Sequence, residues 1–180
     1  DAERLKLIAK DVVDSISALR FPLVISDRKD HLELLQKEIS ALSSSLRVLR
    51  LEGTMGKKAR KVIMDEAKKA AHANSPICLL ATASLIGEGV DIPRLDTLIL
   101  AMPISFKGRM VQYAGRLHRK WPGKKDVVIY DYLDTCSGLT VSMYRKRLQA
   151  YKSMGYQVQA PNYFSAANQV AQSSLFDSRS

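Results

Sequence analysis

The sequence predicts an α/β fold, a three-layer sandwich in which a mostly parallel central sheet carries helices on both faces. Three observations predict it. Short apolar runs alternate with amphipathic helical segments over residues 1–155. Several of those runs, FPLVIS (21–26), ICLLAT (77–82) and DTLILAM (96–102), are nearly continuous in apolar residues, as strands covered on both faces must be. Strong breakers, Asn74-Ser75-Pro76 and Trp121-Pro122-Gly123, separate the segments.

The elements follow in order. Residues 2–20 place Leu5, Ile8, Ala9, Val12, Val13 and Ile16 at helical spacing. FPLVIS is the first strand, Asp27 is the expected N-cap, and RKDHLELLQKEISAL is the next helix. SLRVLRL (45–51) is a second strand closed by Glu52-Gly53, and residues 56–72 form a basic helix. ICLLAT and DTLILAM are the third and fourth strands, joined by the glycine-containing loop SLIGEGVDIP. A helix spans roughly 107–120 and stops before Pro122, because the residue before proline avoids helical geometry. DVVIYDYL (126–133) is the fifth strand and residues 138–154 the last helix. From about Gly155 the chain turns to Gln, Ser, Ala and Asn without periodicity, so residues 156–180 read as a mobile tail behind one domain, 1–155.

Composition narrows the function classes. A hydrophobic fraction of 46% and a charged fraction of 26% are ordinary for a soluble globular chain. No run approaches a membrane span, and the charged N-terminus DAERLKLIAK is unlike a signal peptide. It lacks an initiator methionine, as a piece of a longer chain would. The net charge of +10 favours a polyanionic partner, nucleic acid before anionic membrane, against an inert basic surface. Cys78 and Cys136 show no metal spacing, and a reducing, cytoplasmic setting fits them. His31, His72 and His118 have no carboxylate or cysteine at ligand spacing, so none is read as a metal ligand.

The segment QYAGRLHR (112–119) carries the most chemistry. At 100° per residue, Gln112, Arg116 and Arg119 share about one quadrant of a helix, with Met110, Ala114 and Leu117 opposite. Two forked guanidinium groups at that spacing can grip one phosphate, and Gly115 beside them removes a side chain. A solvated basic face is the competing reading. One strand earlier, Gly87 and Gly89 flank Glu88, with Asp91 just beyond. Such glycines let backbone N–H groups approach a ligand; a tight connection whose glycines only turn the chain is the alternative. The carboxylate of Asp91 suits sugar hydroxyls, and Thr82 offers a hydroxyl at a strand end. Both the loop after ICLLAT and the helix after LILAM begin at the carboxyl edge of the sheet, where ligands of open α/β sheets bind.

Thr82…Gly89-Val90-Asp91 followed by Gln112-Tyr113-Ala114-Gly115-Arg116-Leu117-His118-Arg119 resembles motifs V and VI of superfamily 2 helicases. PLVISDRKDHLELL (22–35) resembles motif IV, and LEGTMGKKARKVI (51–63) the glycine-then-basic-helix element that follows it. RLDTLILAMPISFKGRMVQYAGRLHR with VVIYDYLD is similar to the DEAD/DEAH-like, restriction-type bacterial group. The resemblance implies a C-terminal RecA-like lobe that closes on ATP and Mg²⁺ held mainly by an N-terminal lobe in cis. By position, Arg119 is the implied finger on the γ-phosphate with Arg116 assisting. Gln112 orients the cleft, Gly89 and Asp91 lie near the ribose, and Thr82 and Arg28 lie on the nucleic-acid backbone. Lys57, on the basic helix, and Lys107, at the start of the motif VI helix, suit the same track, with DNA ranked before RNA. For the basic helix a solvated face fits equally well.

No GxxxxGK[ST] loop occurs in these residues; GTMGKKA (53–59) and PGKK (122–125) are both wrong. The expectation is half of an active site, inactive without its first lobe. The alternative is a free-standing nucleic-acid-binding or adaptor module that keeps the fold without a motor. In the tail, Gln172, Leu175 and Phe176 form a QxxLF string. It resembles the peptide by which bacterial proteins dock on the replication sliding clamp; packing back on the domain is the other reading.

Overall fold

The computed structural model describes residues 2–85, 90–103, 109–133 and 138–159. The chain divides into two compact units, Asp1–Tyr144 and Arg145–Ser180, with the division inside the last helix.

The first unit is built on five strands: β1 (Pro22–Ile25), β2 (Arg47–Leu51), β3 (Ile77–Ala81), β4 (Thr97–Leu100) and β5 (Val128–Asp131). They lie in the order β2-β3-β1-β4-β5. Every pair is parallel, with Leu23 opposite both Leu79 and Leu98. The three inner strands are the three continuous apolar runs, and all their residues are buried. The edge strand β2 is the one that carries Arg47 and Arg50, outside the core.

Alternation along the strands divides the core in two. Leu23, Ile25, Leu79 and Leu98 meet α3 (Lys57–His72) and α4 (Arg109–Leu117). Val24, Cys78, Leu80 and Ile99 meet α1 (Ala2–Ser17) and α2 (Lys29–Leu42). The period-two register of a strand sends successive side chains to opposite faces, and each face takes two helices. The expected three-layer α/β sandwich is the fold observed. Among the described residues, no helix is long and apolar enough to cross a membrane.

Helix ends differ from the sequence reading for local reasons. α1 stops at Ser17, where Leu19 takes φ 60° and the N–H of Arg20 reaches back to the Ser15 carbonyl at 3.0 Å. α3 closes the same way, through Asn74 at φ 50° and Ser75 N–H on the Ala70 carbonyl at 2.9 Å. In the second unit, α5 (Gly138–Ser153) runs to the same closure, with Gly155 at φ 85° and Tyr156 N–H on Tyr151 O at 3.0 Å. These are left-handed C-terminal caps. Asp27 is not the N-cap of α2; Arg28 holds that position without a side-chain cap bond. The reason is a turn in which the Arg28 N–H donates to the Ser26 hydroxyl at 3.3 Å.

Candidate functional site

α4 is shorter than the pattern implied. It ends at Leu117, so Arg119 lies beyond the helix, on a turn closed by its N–H on the Arg116 carbonyl at 3.1 Å. The buried stripe is Tyr113, Ala114 and Leu117. Tyr113 was not on the apolar side in the sequence reading, yet it is only 1% exposed. A phenol ring supplies enough apolar area to serve as core. Its hydroxyl has no hydrogen-bond partner among the described residues. Burial pushes the Tyr113 phenol well above its ordinary value; the Arg116 charge opposes that shift and the Asp91 charge adds to it. An orphaned buried hydroxyl costs about 1–3 kcal/mol.

Beside it, the Arg119 guanidinium pairs with the Asp91 carboxylate, across 28 residues of sequence. The two side chains remain 48% and 56% exposed. Arg116 is partly exposed on the last turn of α4. Gly115 is exposed, and a Cβ built there has nothing within 4 Å among the described residues. The fold itself therefore does not require glycine at this position, although glycine weakens a helix interior by about 1 kcal/mol relative to alanine.

Lys124, absent from the sequence reading, organises this end of α4. Its ammonium donates to the carbonyls of Pro93 at 2.9 Å, Arg119 at 3.1 Å and Leu117. Burial draws its pKa down, the Asp96 charge opposes that and Arg94 adds to it. The turn that presents Lys124 has Gly123 at φ 80° and is anchored by Trp121, which packs on the core and edge-on to His72 at 5.0 Å. Thus Asp91 and Arg119 sit on segments that enter β4 and β5. The carboxyl edge, where the sequence reading looked for the chemistry, holds a different group.

That second group joins the ends of β2 and β3. The Thr82 hydroxyl accepts from the Gly53 N–H at 2.9 Å and meets the Ser84 hydroxyl at 3.1 Å. The Thr82 side chain is buried, so its hydroxyl is committed inside the fold. At Gly53 a Cβ would lie 2.5 Å from the Ser84 Oγ, so a side chain there would require Ser84 to turn away from Thr82. Arg60 donates to the carbonyls of Gly53 and Met55, both at 3.2 Å, and Lys29 reaches the Thr54 hydroxyl. Around this loop Arg28 is exposed and paired with Asp30, and Lys57 is exposed on the first turn of α3. Sequence spacing missed Ser84, Lys29 and Lys124, while Gly53 and Arg60 were read only as parts of the glycine-then-basic-helix element. Only the string Gly53-Thr54, opening a basic helix, carried a signal.

Gly89, Lys107, Gln172, Leu175 and Phe176 lie outside the described residues, and Gln112 is described only by its place on α4. His31 Nδ1 lies 3.0 Å from the buried Ser26 hydroxyl, and burial lowers its pKa. His72 Nδ1 faces the Lys68 carbonyl at 2.9 Å.

A family model for the helicase conserved C-terminal domain matches residues 12–120, the span from α1 through the Asp91–Arg119 pair. The chain belongs to that family. This helicase C-terminal domain is 27% identical over 135 residues to the probable helicase D10 of Escherichia phage T5, covering 74% of this chain and 28% of that protein. Its fold matches T4 UvsW at a TM-score of 0.64 and 17% identity, over 85% of this chain and 33% of that one. It matches the C-terminal part of the Fun30 ATPase domain at 0.59 and 18% identity, over 84% and 44%. These solved structures share the fold, and the chain spans under half the length of each of these relatives.

The residues present fit the sugar and phosphate side of a nucleotide. They offer a half-exposed carboxylate, two guanidinium groups, an open glycine and a buried hydroxyl with spare hydrogen-bonding capacity. Among the described residues no group of three His, Cys, Asp or Glu could hold a metal ion.

Proposed function

We propose that this domain is the second motor lobe of an ATP-dependent nucleic-acid helicase or translocase, active only when joined to a first lobe. The observation that carries the reading is the Asp91–Arg119 pair, half exposed just beyond the buried Tyr113, Ala114 and Leu117 stripe of α4. ATP supplies the γ-phosphoryl group whose transfer to water drives such motors, with Mg²⁺ held by the first lobe.

On this chain, Arg119 leaves Asp91 and presents its fork to phosphate oxygens, stabilising the charge that develops there. Arg116, on the last turn of α4, adds a second positive charge. Asp91, so released, accepts from ribose hydroxyls, with Gly89 assigned to the same sugar. Gln112 stands one helical turn before Arg116 and orients the same cleft. The exposed charges of Arg28 and Lys57, with Lys107, follow a nucleic-acid backbone, DNA before RNA. Thr82, whose hydroxyl also joins the ends of β2 and β3 through Gly53, lies on the same backbone track. A cytoplasmic setting goes with this role.

Joined to its first lobe, the protein shows ATPase activity stimulated by nucleic acid, and Arg119→Ala abolishes turnover while nucleotide binding persists. Undiminished turnover in that variant refutes the reading. Stimulation by RNA alone, with none by DNA, reverses the choice of track. The QxxLF tail adds docking on a sliding clamp, which a pull-down unchanged by Leu175→Ala/Phe176→Ala removes.

A further inference from the structure

The Asp91–Arg119 pair has a mechanical problem. Arg119 stands past the last helical residue, on a turn, and Asp91 stands in an irregular segment ahead of β4. Neither position inherits rigidity from a helix or strand, yet a finger residue must hold its geometry closely, since a displacement of about 1 Å can cost about 10²-fold in rate.

We infer that Lys124 is a positioning residue for the finger, a three-point cation clamp that fixes the two backbone segments carrying Asp91 and Arg119. An ammonium has three N–H donors and no acceptor. Those of Lys124 are directed at three carbonyls, of Leu117, Arg119 and Pro93. The first is the last residue of α4, where unpaired carbonyls collect partial negative charge and a cation is favoured, and the second lies on the turn beyond it. The third lies two residues beyond Asp91. One side chain therefore joins the end of the motif VI helix to the exit of the motif V loop. It sets the Arg119 backbone relative to its carboxylate.

The geometry also says what Lys124 does not do. With its three donors directed at backbone carbonyls it has none left for a phosphate, so it acts through Arg119 and not on the nucleotide. Its own place is held from the other side. Lys124 N–H closes a turn on the Trp121 carbonyl at 3.1 Å, and Trp121 is packed on the core against His72. The string WPGKK (121–125) is thus a built device: an aromatic anchor, a glycine at positive φ, and the clamp.

The inference rests on the motor reading above, and the test separates the two. In the protein carrying both lobes, Lys124→Met keeps the stem and removes the cation. Expected is a fall in kcat of about 10–100-fold, with the Kd for a fluorescent ATP analogue within about threefold of the parent, as for displaced chemistry without lost ground-state binding. The double variant Lys124→Met/Arg119→Ala should be no slower than Arg119→Ala alone, because the clamp has nothing left to position. A merely structural lysine would slow Arg119→Ala further. Parent-level kcat in Lys124→Met, or a multiplicative loss in the double variant, overturns the clamp while leaving the motor reading intact. Undiminished turnover in Arg119→Ala overturns the motor reading instead. Should Lys124→Met fail to fold, Lys124→Leu, which also removes all three donors, is judged by the same criteria.

Discussion

Two arginine–aspartate pairs begin three residues apart in sequence and have opposite characters. Arg94 and Asp96 are 11% and 7% exposed and meet at 2.7 Å. The remaining groups are also engaged: Asp96 accepts from the Phe21 N–H at 2.8 Å and the Thr97 hydroxyl at 3.0 Å, and Arg94 donates to the Leu19 carbonyl at 2.8 Å. The Arg94 guanidinium also lies over the Phe21 ring, 5.8 Å from its centre. Asp91 and Arg119 form the same chemical pair with about half of each side chain in solvent. The first pair ties the entries of β1 and β4 together. The second is neutralised only by a contact that a ligand can replace. Burial, and not residue type, separates the covered ion pair from the open one.

The comparison can be broken at either pair. The largest effect is expected from Arg119→Ala: turnover of the two-lobe protein falls about 10³–10⁵-fold. Stability, read from urea unfolding, changes by less than about 1 kcal/mol because the pair is solvent-screened. Asp96→Ala should do the reverse. It leaves Arg94 buried without its partner, at a cost of about 3–5 kcal/mol, and it lowers activity only through the folded fraction. If Asp96→Ala is as stable as the parent, the buried pair is not structural. Gly115→Ala is the smallest and sharpest probe. Nothing surrounds the added methyl, so the lobe should gain up to about 1 kcal/mol in helix stability. Turnover should nevertheless drop if the other lobe or the nucleotide packs there. A variant that is both more stable and fully active shows that the open glycine serves nothing.

Much of the fold was legible because its signals are local. PLVI, ICLLA and TLIL are buried strands for the reason their composition implies: a parallel strand between two helical layers has no polar face. Helix boundaries were less legible. Leu19 holds a left-handed cap position that glycine or asparagine usually fills, so no residue type announced the end of α1. The site was half legible. Arg116, Arg119 and Asp91 stand out by type and spacing, and the structure joins Arg119 to Asp91. Lys124 could not be found that way, since a lysine in PGKK reads as a solvated surface charge until its three carbonyl partners are known. Thr82 stood out at a strand end, but that its hydroxyl turns inward to Gly53 depends on a loop 29 residues away.

By itself, the sequence determined the layer architecture and the residue types able to do chemistry, because hydrophobic period and functional groups are properties of short stretches. Only the tertiary structure decided which charges are covered, which carbonyls collect around Lys124, and that Tyr113 is core while Asp91 is open. Burial and pairing depend on what distant parts of the chain bring to the same place, and no short stretch contains that information.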